Sequence, residues 1–323
     1  MMPFGYRWTA IRTPSSRTLR TAIRSMATVN HGSIPHEQRT AFEPRERLFE
    51  RVTIANIREI NDTVRLLRLN TEEPNRTINF LPGQWLDVFI PGLPQAGGFT
   101  ITSTPFSSRP SSHSHLYLEL AIQKSRNPPA RWLWQPEADI LGTILNVRVG
   151  GSFHWPPPMD ISNIDRLVLV AGGVGINPLV SIMTFLIQVP VQQRPREIHF
   201  LYASKTSSEL DAQKILFLPR LLDLVGIADD PLNVTLSLYL TGSGTDEGGL
   251  IEDGRLPNRT FARRLQEFDL SRALDGFRDG GMTDRKDTVA YVCGPPKMTD
   301  EIVATLNRQE GMSPDRVLCE KWW

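Results

Sequence analysis

The chain has 323 residues, of which 40% are hydrophobic, and this size is enough for two domains that each have a buried core. A formal net charge of +1, without a basic stretch interleaved with aromatic residues, argues against nucleic-acid binding. The only two cysteines, Cys293 and Cys319, exclude a disulfide framework and a four-thiolate cluster, and no apolar run approaches the length needed to span a bilayer.

The N-terminal segment, residues 1–47, differs in composition from the rest. Its first 36 residues carry five arginines and no acidic residue, and a helix over residues 17–26 would place apolar side chains opposite arginines. This composition is typical of a mitochondrial transit peptide, followed by a polar linker. A disordered basic tail is the alternative.

Residues 48–158 read as short strands separated by Pro, Gly, Asn and Ser clusters. Alternating patterns predict strands at 51–60, 63–70, 85–90, 115–122 and 144–149, and a short helix follows Pro128 and Pro129. This spacing favours a small antiparallel barrel. The proline run after Trp155 is a stiff connector and marks the boundary of this domain.

Residues 159–323 alternate between strand and helix patterns. Strands are expected at 166–171, 197–203, 233–240, 288–293 and 316–320, and helices at 178–188, 206–223 and 297–310. Such alternation predicts a doubly wound parallel sheet with right-handed crossovers. A charged, glycine-rich insertion, residues 242–286, interrupts the pattern and contains one predicted helix at 261–268.

The most informative segment is the glycine turn of residues 171–178, which follows the first predicted strand of this domain. Glycines allow a sharp turn and a close approach of backbone to a ligand. Asn177 is predicted to cap the next helix and Pro178 to occupy its first helical position. The helix start then offers N–H groups to a pyrophosphate. The segment is neither G-x-G-x-x-G nor a Walker loop, and an ordinary βα loop is the alternative.

Four further segments occur in a fixed order with this turn. They are Gly-Gly-Phe-Thr-Ile-Thr-Ser (97–103), residues 124–133, Cys-Gly-Pro-Pro-Lys-Met (293–298) and the terminal Cys-Glu-Lys-Trp-Trp (319–323). Together the five segments resemble the motifs of the ferredoxin–NADP reductase superfamily over about residues 50–323. The resemblance implies a flavin-binding antiparallel barrel followed by a doubly wound NAD(P)-binding domain, in a mitochondrial branch of that superfamily.

The resemblance also implies the site residues. Phe99 would pack on the flavin ring, the Thr100 hydroxyl would reach its N5 atom, and one terminal tryptophan would cover the ring. The catalytic candidates are Thr100, Cys293, Glu320 and Trp322. The cofactor-binding candidates are Phe99, Thr100, Ile101, Ser103, Arg131, Gly172, Gly173, Val174, Gly175, Ile176, Asn177, Pro178, Tyr202, Lys205, Cys293, Gly294, Pro295, Met298 and Trp323. A plain alternating strand at 99–102, a buried strand cysteine and docked terminal tryptophans are the structural alternatives.

Two departures from the family pattern concern the flavin phosphates. Gly97 stands where the family has an arginine, a loss worth about 1.5–3 kcal/mol for a charge-assisted contact. The second phosphate segment contains prolines, so Arg126 or Arg131 would have to supply the missing charge. FAD is favoured on family grounds and FMN stays open. The strand at 233–240 is followed by no arginine, which favours NADH over NADPH.

The expected activity is hydride transfer from a nicotinamide nucleotide to FAD. Electrons would then pass to an outside acceptor, which is a protein, a quinone or a small molecule, because the chain has no cluster- or haem-ligating pattern. The alternatives are a non-catalytic nucleotide-binding or assembly protein with weakened flavin binding, and a flavin-free NAD(P) sensor that uses the insertion to bind a partner.

Overall fold

Two six-stranded sheets follow one another along the chain in the computed structural model. The structure describes residues 34–73, 76–109, 116–206, 210–226, 233–242, 249–277 and 284–321. Residues 1–33, which make up most of the predicted transit peptide, lie outside the described residues, as do Trp322 and Trp323. No helix among the described residues is long and apolar enough to cross a bilayer.

The first sheet is antiparallel and has the strand order β4-β3-β6-β1-β2-β5. Its strands are β1 (Glu50–Asn61), β2 (Val64–Thr71), β3 (Trp85–Phe89), β4 (Gly97–Thr100), β5 (Tyr117–Gln123) and β6 (Ile144–Gly150). Short helices α1 (His36–Arg39), α2 (Pro128–Trp132) and α3 (Glu137–Ile140) accompany it. An antiparallel bridge between Ile101 and Leu120 joins the two edge strands, so the sheet closes into the predicted barrel.

The barrel core follows from the alternation of apolar residues along these strands. One face of each strand turns inward, and side chains such as Ile54, Leu69, Leu86 and Leu118 are fully buried there. This packing explains why the alternating sequence patterns located five of the six strands to within a few residues; β4, whose first two residues are glycines, was not among the predicted strands.

The segment just before β1 is ordered against the barrel, although the sequence reads as a linker. We call residues 34–46 the strap. Arg45 forms an antiparallel bridge with Gly150, and the Glu46 N–H donates to the Val149 carbonyl. The fully buried Asp87 accepts hydrogen bonds at 2.9 Å from Nε of both Arg45 and Arg148, and lies 3.2 Å from His36. These charge-assisted contacts hold the strap on the outer face of β3 and β6.

The second sheet is entirely parallel, with the strand order β10-β9-β8-β7-β11-β12. Its strands are β7 (Arg166–Gly172), β8 (Glu197–Lys205), β9 (Asn233–Thr241), β10 (Arg259–Phe261), β11 (Thr288–Cys293) and β12 (Val317–Glu320). The helices are α4 (Ile176–Gln188), α5 (Leu218–Val225), α6 (Glu267–Leu274) and α7 (Pro296–Arg308). The strand order reverses between β7 and β11, and ligands of such sheets bind in the crevice at this switch point.

Two helix predictions need correction. The helix expected at 206–223 is only α5, because the Thr206 N–H donates to the Thr241 carbonyl and so extends the strand pairing. The helix expected at 261–268 begins later, as α6. Arg259–Phe261 is instead β10, which pairs with β9 as an edge strand inside the insertion. Pairing with a distant strand leaves no local signal over three residues.

The two sheets share a hydrophobic core at their junction. Val64, Leu66 and Ala121 of the barrel belong to the same buried cluster as Leu179 and Met183 of α4. The rings of Phe106 and Phe185 stack at 5.6 Å across the same junction. This core sets the position of the carboxyl ends of β7, β11 and β12 relative to the barrel.

Candidate functional site at the junction of the two sheets

The glycine turn between β7 and α4 lies at the switch point of the parallel sheet. Side chains are excluded at two of its glycines. A Cβ on Gly172 would lie 2.8 Å from Cδ of Pro295, and one on Gly175 would clash with the Cys293 carbonyl. Gly173 differs, because its φ is +53° and nothing lies within 4 Å of the position of its missing Cβ. The turn is therefore tightly packed against the residues that follow β11 and open at Gly173.

Helix α4 begins at Ile176, and no side chain caps it. Pro178 is the third residue of this helix, not the first as predicted. The prediction that Asn177 is the N-cap is also wrong, because Gly173–Gly175 already form a 3-10 turn and Asn177 lies within the first helical turn. Its Nδ2 atom instead donates a hydrogen bond of 3.1 Å to the Ala121 carbonyl of the barrel. The absence of a side-chain cap on α4 leaves N–H groups at its start for a ligand.

The turn after β11 borders the same crevice through its backbone. Cys293 is 0% exposed and belongs to the shared core, so its thiol behaves as a small buried hydrophobe. Gly294 lies against Gly172, and its carbonyl accepts a 3.1 Å hydrogen bond from the Thr299 hydroxyl. Pro295 is exposed and Met298 is half-buried. Backbone atoms and Pro295 thus line this side of the crevice.

Glu320 ends β12 directly beside Cys293, its register partner on β11. It is 8% exposed, and burial raises the pKa of its carboxyl group to about 8, with a further contribution from the nearby Glu43 of the strap. Glu43 is held in place by the Ser152 N–H at 2.9 Å and the Ser152 hydroxyl at 2.6 Å. Glu320 is therefore protonated at neutral pH and carries a proton at the junction.

Thr100 ends β4 and lies opposite Trp85 of β3. Thr100 is 4% exposed, and the indole N–H of Trp85 is buried with no hydrogen-bond partner in the described part of the chain. A buried donor without a partner is costly, so it is a candidate contact for a bound molecule with acceptor atoms. The Trp85 ring also packs on Gly150 and Gly151, next to the Ser152 that binds Glu43.

The other predicted flavin contacts have different surroundings. Phe99 is half-buried and packs on the barrel core, and its ring lies over Gly97. Ile101 is fully buried in that core. Ser103 joins the two sheets: its hydroxyl accepts from the Glu119 N–H, and its carbonyl accepts a 2.8 Å hydrogen bond from Ser181 of α4. Arg131 is exposed at the end of α2.

The far end of the crevice lies at the ends of β8 and β9. Tyr202 is buried in the shared core, which raises its pKa, and Lys205 is exposed at the end of β8. The Arg220 guanidinium of α5 binds both oxygens of Glu119 at 2.8 and 2.9 Å. This ion pair across the junction, like the strap, carries no local sequence signal, because its partners are separated by 101 positions.

A closed antiparallel barrel docked on a doubly wound sheet, with a glycine turn at the switch point, defines the ferredoxin–NADP reductase-like class. Two solved structures illustrate this fold. The CS-b5R domains of human Ncb5or in the NAD⁺ form have a TM-score of 0.61 and 17% identity, over 85% of this chain and 70% of that one. A ferredoxin NADP⁺ reductase from Neisseria gonorrhoeae with bound FAD and NADP has a TM-score of 0.60 and 15% identity, over 86% of this chain and all of that one.

Sequence comparison places the chain within this class. Residues 169–304 match the Oxidoreductase NAD-binding domain family. Oxidoreductase NAD-binding domain-containing protein 1 of Danio rerio is 31% identical over 293 residues, covering 89% of this chain and 97% of that protein. The chain belongs to the family of oxidoreductase NAD-binding domain-containing protein 1.

Proposed function

We propose that the protein is an NAD(P)H-dependent flavin oxidoreductase, in which hydride passes from the nicotinamide to a flavin and electrons then pass to an outside acceptor. The observation that carries the proposal is the open glycine turn at the switch point, which lies next to the barrel. The NAD(P)-bound and FAD-bound proteins that share the fold support it.

The nicotinamide nucleotide would bind along this turn. Open space at Gly173 lets a pyrophosphate approach the backbone, and the N–H groups of the turn and the positive end of the α4 dipole would stabilise its charge. The backbone of Cys293 and Gly294 then borders the nicotinamide ring. Lys205 is the exposed cation at the adenosine end. It is a flexible point charge rather than a bidentate arginine, which favours NADH.

We place the flavin ring at the end of β4 and the start of β3, next to Thr100 and Trp85, and call this region the ring end of the barrel. The Thr100 hydroxyl would donate to a ring nitrogen, and the buried Trp85 N–H, which has no partner among the described residues, would be a second donor on the same face. A bound flavin supplies the hydride-accepting ring. Glu320 holds a proton nearby because its pKa is about 8, so it can protonate a neighbouring group at neutral pH. The residues on the two sides of the junction contribute proximity and electrostatics.

The acceptor is proposed to be a protein, a quinone or a small molecule, and the location is proposed to be mitochondrial because of the N-terminal composition. Import of the full chain into isolated mitochondria, with removal of part of residues 1–33, tests the location. Cytosolic retention of the full chain would contradict it.

An anaerobic titration tests the activity. Purified protein supplied with flavin is titrated with NADH and, separately, with NADPH. Loss of the oxidised-flavin absorbance, at lower concentrations of NADH than of NADPH, is the expected result. The same flavin without protein is the control. Flavin that binds but is not reduced by either nucleotide would contradict the proposal.

A second candidate function is favoured by one observation: Gly97, Phe99 and Pro129 are packed together where the family binds a flavin phosphate. A non-catalytic nucleotide-binding or assembly protein would retain the glycine turn and lose the flavin. It would bind NADH in the same titration and take up no flavin.

A further inference from the structure

The flavin half of the junction offers two places from which a phosphate could be anchored. One is the side chain at position 97 on β4, and the other is the set of backbone N–H groups at the start of α2. Charge-assisted hydrogen bonds from such groups are the usual means of holding a phosphate. Each place can be examined on its own.

Position 97 has no room for a cation. A Cβ built on Gly97 would lie 2.5 Å from Cε2 of Phe99 and 2.6 Å from Cβ of Pro129. Contacts this short are not tolerated, so any side chain here would have to displace both neighbours. The space in front of Gly97 is therefore filled by a phenyl ring and a proline ring.

The start of α2 has few donors. Its first two residues are Pro128 and Pro129, which have no N–H group. The Arg131 N–H already donates to the Asn127 carbonyl at 2.8 Å. Ala130 has an N–H but is buried in the barrel core. This end of the helix presents carbon atoms where a phosphate would need hydrogen bonds.

The arginines nearest to this helix start are exposed. Arg126 and Arg131 both lie at the surface, where an ion pair is screened by water and salt and contributes little to affinity. A phosphate placed against Pro129 and Phe99 would lose water without gaining donors, which is unfavourable. The ring end, with Thr100 and the Trp85 N–H, has no such defect.

We infer that this protein holds flavin by its ring system alone, without a phosphate anchor, so that riboflavin, FMN and FAD bind with similar affinity and exchange as co-substrates. The inference rests on the proposed flavin oxidoreductase function. It specifies the substrate class: any molecule with an unmodified isoalloxazine ring, whether or not it carries phosphate.

Binding measurements on the full chain test this inference. Dissociation constants for riboflavin, FMN and FAD are measured by quenching of flavin fluorescence at ionic strengths of about 0.05 M and about 0.5 M. The three constants should agree within about threefold and should not change with salt, because no phosphate contact is present. FAD binding at least about thirtyfold tighter than riboflavin binding, a difference of about 2 kcal/mol, would overturn the inference.

Variants of the exposed arginines sharpen the test. Arg126→Ala and Arg131→Ala should leave the FAD affinity within about twofold of the wild type, as should the control Arg196→Ala on the remote side of the second sheet. A tenfold loss of FAD affinity in either variant, with riboflavin affinity retained, would show that an arginine anchors the phosphate and would overturn the inference, since about 1.4 kcal/mol would then come from that contact.

The outcomes separate this inference from the function on which it rests. If FAD alone binds tightly and is reduced by NADH, the oxidoreductase function stands and the inference fails. If none of the three flavins binds, both fail.

Discussion

Two glycines near the junction, Gly173 in the β7–α4 turn and Gly97 on β4, have opposite effects on the space around them. At the β7–α4 turn, the missing side chain of Gly173 leaves open space next to an uncapped helix start. On β4, the missing side chain of Gly97 is replaced by Phe99 and Pro129. One glycine therefore makes room for a ligand, and the other lets the protein pack on itself. The neighbours of a glycine, rather than the glycine itself, decide whether a phosphate can bind.

The contrast between Gly173 and Gly97 also separates the two expected ligands, the nicotinamide nucleotide and the flavin. Under the proposed function, the second sheet would bind a dinucleotide through its pyrophosphate, whereas the barrel would contact only the flavin ring. Four changes test this contrast, from the largest expected effect to the smallest.

Gly175→Val tests the nucleotide side. The new side chain would clash with the backbone of Cys293 and Gly294, which cannot move without disturbing β11. We expect a loss of about 3 kcal/mol of stability and loss of NADH binding. Thermal unfolding and NADH titration measure both effects. Gly249→Ala, at a glycine with nothing within 4 Å of the added Cβ, is the control. Wild-type behaviour of the valine variant would show that this turn is not closely packed.

Glu320→Gln tests whether the carboxyl group of Glu320, at the junction of the two sheets, holds a proton at neutral pH. The folded-state pKa of about 8 lies above the unfolded value of about 4.3, so the folded protein alone keeps this proton between those pH values. The free energy of unfolding of the wild type should therefore fall as the pH rises from about 5 to about 8. The slope from this one proton is at most about 1.4 kcal/mol per pH unit. The glutamine variant should lack this slope. Chemical denaturation at several pH values measures it, and equal slopes in the two proteins would contradict the assignment.

Gly97→Ala tests the flavin side. The added methyl group meets the side chains of Phe99 and Pro129 rather than backbone, and these can shift slightly. The expected cost is about 1–2 kcal/mol of stability, with riboflavin and FAD affinities changed equally or not at all. Thermal unfolding and flavin titration give the two values. A variant that is as stable as the wild type would mean that the space in front of β4 is empty.

Asn177→Asp tests the contact that joins the two sides. The structure uses the Asn177 amide to donate to the Ala121 carbonyl, and a carboxylate cannot donate. We expect a loss of about 1–2 kcal/mol, whereas an N-cap would tolerate aspartate without loss. Denaturant unfolding distinguishes the two, and Asn177→Ala, which removes the donor without adding charge, is the matched control.

Much of the fold was predictable from the sequence because hydrophobic periodicity is a local signal. The alternating barrel strands and the continuous apolar strands of the parallel sheet were located within a few residues, and the glycine turn marked the switch point. Predictions failed where a distant partner decides the outcome. Arg259–Phe261 becomes a strand only by pairing with β9, and Asn177 is drawn to the barrel rather than to its own helix.

The surroundings of the candidate site were less predictable for the same reason. The substitution of arginine by Gly97 was visible in the sequence, but the rings that fill its space were not, since Phe99 and Pro129 meet only in the folded barrel. The strap resembled a linker, because its ion pair between Arg45 and Asp87 joins residues 42 positions apart. The raised pKa of Glu320 depends on its burial and, secondly, on the charge of Glu43, which lies near the opposite end of the chain.

The shared core between the barrel and α4 has a mechanical consequence. Because Val64 and Leu66 are buried with Leu179 and Met183 in one cluster, rotating the halves apart would expose apolar surface to water. If the proposed function holds, this core would also fix the distance between the nicotinamide and flavin rings when the protein folds. The halves should melt in a single calorimetric transition, so that a destabilising change in either one is shared by both.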